Sequence, residues 1–439
     1  MRYHYVLFGL VLIVGCQSAP TPEGAGEEVI PEALPYREIA LEDLSAFQPV
    51  AGNWSVAGTV VADHTQKHDL QAKAGTGVLV NRPEEGAKAN LFTTWEHGDL
   101  ELDLEFMMPQ GSNSGVYLQG RYEIQLLDSW LVEDLRHADC GGIYQRWDED
   151  RREGERGYEG HAPPANAVKA PGLWQHLYID FRAPRFDTGG KKIANARFEK
   201  VVLNGIVLHE GVEVTGPTRA AAFDEEAALG PLMIQGDHGP VALRRMRYKR
   251  YFDEQLDLRN LRYRYYEVEG PITQLPDFDS LAVVREGGTD SLVFEKLSER
   301  QERVAYIFEG TLAVPKGGDY LFRLYSDDGS QLFIDGKRLI DNDGKHDFEP
   351  KSGLIALREG THDLRLTYFN NNWGKGLMLQ YEGPEMRMQP LYSREPAQGD
   401  SQRPRLLVEP EAAPELVRSC VLHDGKKVTH AISVGDPSG

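Results

Sequence analysis

Apolar and polar residues alternate in short runs along most of this chain, and Gly, Pro, Asn and Asp separate the runs. A period of two belongs to strands buried on one face, so the pattern predicts an all-β fold of mostly antiparallel sandwiches. In DLELDLEFMM, Leu100, Leu102, Leu104 and Phe106 share one face while Glu101, Asp103 and Glu105 share the other, predicting a half-buried strand with a solvated polar side. In RYEIQLL, Tyr122, Ile124 and Leu126 are assigned to the core, which projects Arg121, Glu123 and Gln125 together on the opposite side. In LWQHLYIDFR, Leu177, Ile179 and Phe181 point inward, and Trp174, His176, Tyr178, Asp180 and Arg182 point away. Aromatic rings interleaved with planar hydrogen-bonding groups make a sugar platform, so this strand too is expected to belong to a ligand-binding sheet face.

The alternation marks the domains. It fades over 252–289, read as a connecting segment, between a first sandwich at 36–251 and a second at 290–392. Ahead of the first lies a linker, 17–35, rich in Pro, Glu, Gly and Ala, a composition that cannot bury a core. Residues 1–16 combine a basic start, an apolar run about half the ~20 residues needed to span a bilayer, and Gly15 before Cys16. That is the pattern of a lipoprotein export signal with lipidation at Cys16. It predicts a cell-envelope protein held to the membrane by lipid alone, and Gln17, by resemblance to bacterial lipoproteins, fits sorting to the outer membrane. The 393–439 extension ends in two strand-like pieces, VLH and HAISV, read as an incomplete element or as a strand returned to an earlier sheet.

Charge and cysteines narrow the partners. The formal net charge of -20, from 68 acidic and 48 basic residues, offers no basic footprint for nucleic acid. Cys140 and Cys420 fall in different segments, so no disulfide framework is expected, and a single bridge between them stays open.

The richest chemistry lies in GSNSGVYLQGRYEIQLLDSW, where Asn113 precedes the Arg121, Glu123 and Gln125 row and Asp128 ends the strand. Gly236-Asp237-His238-Gly239 sets an acid and an imidazole on a turn, although a turn Asp more often caps its own backbone. The long charged loop 139–170 reads as a lid or binding loop. GSNSG is not a nucleophile elbow, and H-E-x-x-H, C-x-x-C and phosphate-loop patterns are missing, so no zinc or nucleotide cofactor is required. A divalent cation held by oxygen and nitrogen side chains remains compatible with the sequence.

SNSGVYLQGRYEIQLLDS, CGGIYQRW, APPANAVKAPGLWQ, FRAPRFD, VVLNGIVLHEGVEVTGPT and LMIQGDHGPVALRRM follow one another in an order that resembles the 3-keto-disaccharide hydrolase domain family. The resemblance implies a concanavalin-like jelly roll and hydrolysis of glycosides bearing a ketone at carbon 3. It implies Glu123 as the base acting at carbon 2, Asp237 and His238 as acid or water-activating groups, and Asn113, Arg121, Gln125, Asp128, Tyr144, Trp174 and His176 around the sugar. A two-carboxylate glycosidase, pairing Glu123 with Asp128 or Asp237, is the competing chemistry. Where the family pattern reads aromatic-Arg-Asn, this chain has Leu243-Arg244-Arg245, which is expected to alter a hydrogen bond at the edge of the site.

In the second segment, Asp335-Gly336 between LFI and RLI predicts a tight hairpin. Together with SDDGS and IDG, the segment resembles the protective-antigen-type β-sandwich, which in some members binds carbohydrate. The resemblance implies a calcium ion at Asp327 and Asp328, with Asn370 or Asn371; plain turn chemistry explains the same residues. The alternative to an enzyme is a non-catalytic, two-module glycan-binding lipoprotein.

Overall fold

The computed structural model describes residues 30–50, 52–290, 292, 297 and 300–393. The readings that concern Cys16, the first part of the linker, Cys420 and the 394–439 stretch lie outside the described residues. Both sandwiches fall within one compact unit.

Among the described residues there is no α-helix, and a single 3-10 turn at Phe278–Ser280 interrupts the strands. The first sandwich pairs an eight-stranded antiparallel sheet with a four-stranded one. The large sheet runs Ile206–Val214, Ala196–Leu203, Gln175–Arg182, Asp99–Met107, Val241–Tyr251, Leu70–Asn81 and Trp54–Ala62, and Arg37–Glu38 adds to Val241–Tyr251. The small sheet runs Leu91–His97, Gly230–Ile234, Asn113–Leu118 and Tyr122–Leu127. Alternation decides which residues lie between them. Leu100, Leu102, Leu104, Leu177, Ile179 and Phe181 from the large sheet meet Val116, Leu118, Tyr122, Ile124, Leu126, Leu232 and Ile234 from the small one in one core. The residues between these in sequence therefore face outward, in opposite directions on the two sheets.

The second sandwich packs a six-stranded sheet against a four-stranded one. Its first strand, Asp257–Glu267, lies inside the stretch read from sequence as a connecting segment. That strand is rich in Arg and Tyr, and Tyr263 and Tyr265 join Leu258 and Leu261 on its buried face. The Asp335-Gly336 hairpin forms as expected, with both residues at positive φ (50° and 75°) joining Ser330–Ile334 to Lys337–Asn342.

The acidic face of Asp99–Met107, expected to be solvated, is covered by cations instead. Asp99 pairs with Arg185, Asp103 with Arg247 and His176, and Glu105 with Arg244 and Arg245. Glu101 accepts hydrogen bonds from the Tyr36 and Tyr251 hydroxyls at 2.6 and 2.7 Å. The second sandwich docks onto this stripe. Its Arg387 reaches Asp180 at 2.5 Å and Glu101 at 3.5 Å, while Lys249 and Arg250 of the first sandwich meet Glu382 and Glu385 of the second at 2.7 and 2.9 Å.

Candidate functional site

The outer face of the small sheet carries the candidate site. On Asn113–Leu118 the outward positions are Asn113, Gly115 and Tyr117, and on the neighbouring strand they are Glu123 and Gln125. The register sets Tyr117 directly opposite Glu123 and Gly115 opposite Gln125. Gly230–Ile234 continues both rows, with Met233 paired to Tyr117 and the Gln235 amide N–H donating to the Gly115 carbonyl at 2.9 Å. On the other edge, the 139–170 loop lays a further extended stretch along Tyr122–Leu127. The backbone N–H groups of Gly141 and Tyr144 donate to the carbonyls of Gln125 and Glu123. Ile143 enters the core, so Tyr144 falls on the outer face beside Glu123.

Gly115 shapes this face. A Cβ there would lie 2.3 Å from Glu123 Oε1 and 2.9 Å from the Tyr117 ring, so the missing side chain is the room into which the carboxylate leans. Gln125 Nε2 donates to Asn113 Oδ1 at 3.2 Å along the same row.

Glu123 is 2% exposed and, among the described residues, has no cationic partner. Burial pushes its carboxyl up to about 8; the hydrogen bond from Tyr117 opposes the rise, and the negative charge of Asp237 adds to it. Burial and the Glu123 charge in turn hold the Tyr117 hydroxyl far above its ordinary value. Asp237 and His238 form a pair, with Asp237 Oδ1 2.6 Å from His238 Nδ1, at the solvent-facing rim. Glu123, Tyr117, Asp237, Gln125, Asn113 and Tyr144 thus share one place. A protonatable carboxylate in a dry hollow, beside a second acid, an imidazole and amide groups, can accept and return a proton while hydrogen-bonding a polar ligand.

The other residues expected here stand apart. Arg121 turns along the strand to the Glu225 and Gln119 carbonyls at 2.5 and 2.8 Å and lies 4.8 Å from the Phe223 ring, so it secures the covering 218–228 loop. Asp128 accepts the Gly111 N–H at 2.8 Å and ties the end of its strand to the loop that precedes Asn113–Leu118, so its carboxylate is engaged there and not with Glu123. Trp174 and His176 lie on the outer face of the large sheet, across the core, where Trp174 stacks under Arg244 at 4.0 Å and His176 meets Asp103 at 3.1 Å. Alternation identified their face correctly but could not say that the two outward faces belong to opposite sides of one sandwich. Arg245 is there as well. It is the extra residue of a β-bulge, at φ 48° in the left-handed region, with its side chain on Glu105. Asn tolerates that backbone better than Arg, so the departure from the family pattern touches a bulge and not the edge of the site.

Sequence reasoning passed over Tyr117, Gly115 and Gln235. The signal was present, because counting by two along NSGVYL places Gly115 and Tyr117 on the Asn113 face, and LMIQ places Met233 and Gln235 on theirs.

In the second sandwich, Asp328 is buried and accepts the Asn371 N–H at 2.7 Å. Burial, Asp328 and Asp347 hold the Asp327 carboxyl above its ordinary value. Asn371 Oδ1 already accepts the Ile272 N–H at 2.8 Å, whereas Asn370 Oδ1 is buried without a hydrogen-bond partner. Two crowded carboxylates suit a hard cation, but among the described residues no group of three or more His, Cys, Asp or Glu is gathered to hold one. Carbonyl, amide and water oxygens would have to complete a calcium shell. Next to the pair, Trp373 is 88% exposed, and Phe348 stacks on Tyr325 with ring centroids 5.6 Å apart.

Residues 42–250 match the family model described as a 3-keto-alpha-glucoside-1,2-lyase-like domain, and residues 263–394 match the PA14 domain. Among solved structures, the chain is similar to a provisionally assigned glycosyl hydrolase from Parabacteroides distasonis, at 23% identity and TM-score 0.35, covering 48% of this chain and 82% of that one. A second provisionally assigned glycosyl hydrolase from the same organism gives 20% identity and TM-score 0.33, covering 49% and 100%. The PA14 sugar-binding domain of an RTX adhesin gives 13% identity and TM-score 0.26, covering 31% and 96%. No curated protein matches the chain.

Proposed function

We propose that this chain, whose residues 42–250 match the 3-keto-alpha-glucoside-1,2-lyase-like family model and whose residues 263–394 match the PA14 model, cleaves glycosides already oxidised to a ketone at carbon 3. The observation that carries the reading is Glu123, a buried carboxylate with no cation beside it among the described residues, raised to about 8 and seated in the hollow over Gly115. A ketone at carbon 3 acidifies the hydrogen on carbon 2, and a carboxylate of raised pKa is a stronger base for removing it. The C–H electron pair moves into an enolate, which then expels the glycosidic oxygen from carbon 1. That oxygen leaves as an alcohol after taking a proton, for which Asp237 and His238 at the rim are the available acids. That loss re-forms the ketone beside a new carbon 1–carbon 2 double bond; water then adds its oxygen to carbon 1 and a proton to carbon 2, the double bond is saturated, and the sum is hydrolysis. Stopping before water adds is the lyase outcome that the family description names. Amide groups beside Glu123 supply donors for the developing enolate charge.

The second sandwich supports a carbohydrate-anchoring role through the exposed Trp373 beside Asp327 and Asp328, which with further oxygen donors would hold calcium and offer it to sugar hydroxyls. Lipidation at Cys16 would keep both modules at the cell envelope, and a Cys16→Ala protein released into the soluble fraction would bear this out.

The test is sugar release from matched 3-keto and ordinary disaccharides. Cleavage of the 3-keto form alone, falling by about 10²- to 10⁴-fold in Glu123→Gln, is the expected outcome. Full activity in that variant ends the assignment. Retention on glycan without any turnover would favour the non-catalytic glycan-binding reading.

A further inference from the structure

Gln235 is 7% exposed and stands on the outer face, on the far side of Gly115 from Gln125. Its backbone is fully engaged, with the N–H on the Gly115 carbonyl and the C=O accepting the Ser114 hydroxyl at 2.8 Å. Its side chain is not. Oε1 is buried without a hydrogen-bond partner, and the neighbour of Nε2 is His238 Nδ1 at 3.3 Å. That nitrogen is already claimed, because Asp237 Oδ1 lies 2.6 Å from it and a carboxylate can bond there only if Nδ1 carries the proton. A protonated Nδ1 cannot accept from the amide. Turning the amide over lets Oε1 share the Nδ1 proton, and the NH₂ group is then the one left over. In either orientation a buried amide keeps hydrogen-bonding capacity that the described protein does not use, which in native structures marks a place for water, an ion or a ligand.

We propose that Gln235 is a substrate-positioning residue, whose amide donates to an oxygen of a sugar seated against Glu123, on the opposite side of the Gly115 strand from Gln125. The inference rests on the reading of the Glu123 hollow as the sugar site, and it adds a residue that holds the ring while leaving the proton transfer to others. The missing side chain at Gly115 lets the Glu123 carboxylate lie low on the face, between the Gln235 and Gln125 strands. An amide on either side of it gives the ring two planar contacts that fix its rotation about the carbon 2 to Glu123 line. With the Nδ1 proton of His238 donated to Asp237, the Gln235 amide is left free for a ligand.

The experiment measures binding apart from turnover. Titration calorimetry of a 3-keto disaccharide into Glu123→Gln, and into Glu123→Gln with Gln235→Leu, reads the amide directly, and the single Gln235→Leu and Gln235→Ala variants are assayed for KM and kcat. Loss of one hydrogen bond to ligand is expected to weaken binding and raise KM about 5- to 15-fold, with the melting temperature held, because the side chain makes no firm bond in the free protein. Unchanged binding and KM in both variants overturns the proposal. So does a fall in melting temperature that accounts for the loss, which would make Gln235 a structural residue. If the 3-keto disaccharide binds in a Gln235-dependent way but is never cleaved by the unsubstituted protein, the proposed activity fails and the positioning role stands. If it does not bind to Glu123→Gln at all, both fail.

Discussion

The two outward faces of the first sandwich are built from the same alphabet of acids, aromatics and amides, yet they differ in charge balance. On the large sheet every acid of Asp99–Met107 has a partner, and burial of Glu105 is outweighed by Arg244 and Arg245, which hold its carboxyl below the ordinary value. On the small sheet Glu123 is buried more deeply, among the described residues has no cation, and is pushed up to about 8. A buried charge that is paired belongs to the architecture, while one left unpaired has a cost in stability that only function retains. Polar alternation alone cannot separate these cases. What separates them is where the cations go: the arginines of Val241–Tyr251 serve the large sheet, and Arg121, the cation nearest Glu123 in sequence, turns away to backbone carbonyls.

The comparison can be broken most forcefully at Arg387, which burial pulls down but Asp180 and Asp99 hold above its ordinary value. Arg387→Ala strips the balanced face of its central cation, taking the guanidinium from Asp180 and leaving Glu101 with tyrosine hydroxyls as its partners. A loss of about 3–5 kcal/mol is expected, read as a fall in denaturation midpoint, with sugar cleavage by the surviving folded fraction unchanged. Recovery of most of that stability in Arg387→Met would show instead that packing of the long side chain matters more than its charge.

The unbalanced face predicts a stability change of opposite sign. Glu123 titrates near the ordinary 4.5 when unfolded and near 8 when folded, so between those values the folded chain holds the extra proton. Stability from this group is therefore greatest below about 4.5, declines as pH rises and levels off above about 8. Glu123→Gln lacks the decline. Its melting temperature should exceed that of the parent protein by a margin that opens from pH 5 to pH 9, and a margin independent of pH would mean the carboxyl is not raised. Activity, if Glu123 is the base, should climb over the same interval, because the ionised form does the work.

The smallest effect is expected from Trp174→Ala. Its indole is engaged with Arg244 across the core from Glu123, so the change should cost about 0.5–1 kcal/mol and leave KM for a 3-keto disaccharide where it was. A raised KM would mean that sugar also reaches the large sheet.

Much of this molecule can be read from its letters because alternation is local. The inward faces of Leu100, Leu102 and Leu104 and of Leu177 and Ile179, the Asp-Gly hairpin and the shared outward face of Glu123 and Gln125 each depend on near neighbours in sequence, and the structure holds them as the pattern implies, whereas Arg121 leaves that row. The register that sets Tyr117 against Glu123 and Gln235 beside Gly115 joins strands more than a hundred residues apart in the latter case, and no local period encodes it. The same holds for the fate of the polar faces. Whether Glu105, Glu123 or Asp128 ends up paired, raised or capping a turn depends on which distant chain covers it, and Arg387 reaches Asp180 from another sandwich altogether. Sequence by itself determined which side of each strand is buried, because the two-residue pleat is a property of the backbone. Only the tertiary structure decided which buried acid keeps its proton, because desolvation and charge pairing are set by neighbours that folding brings in from elsewhere in the chain.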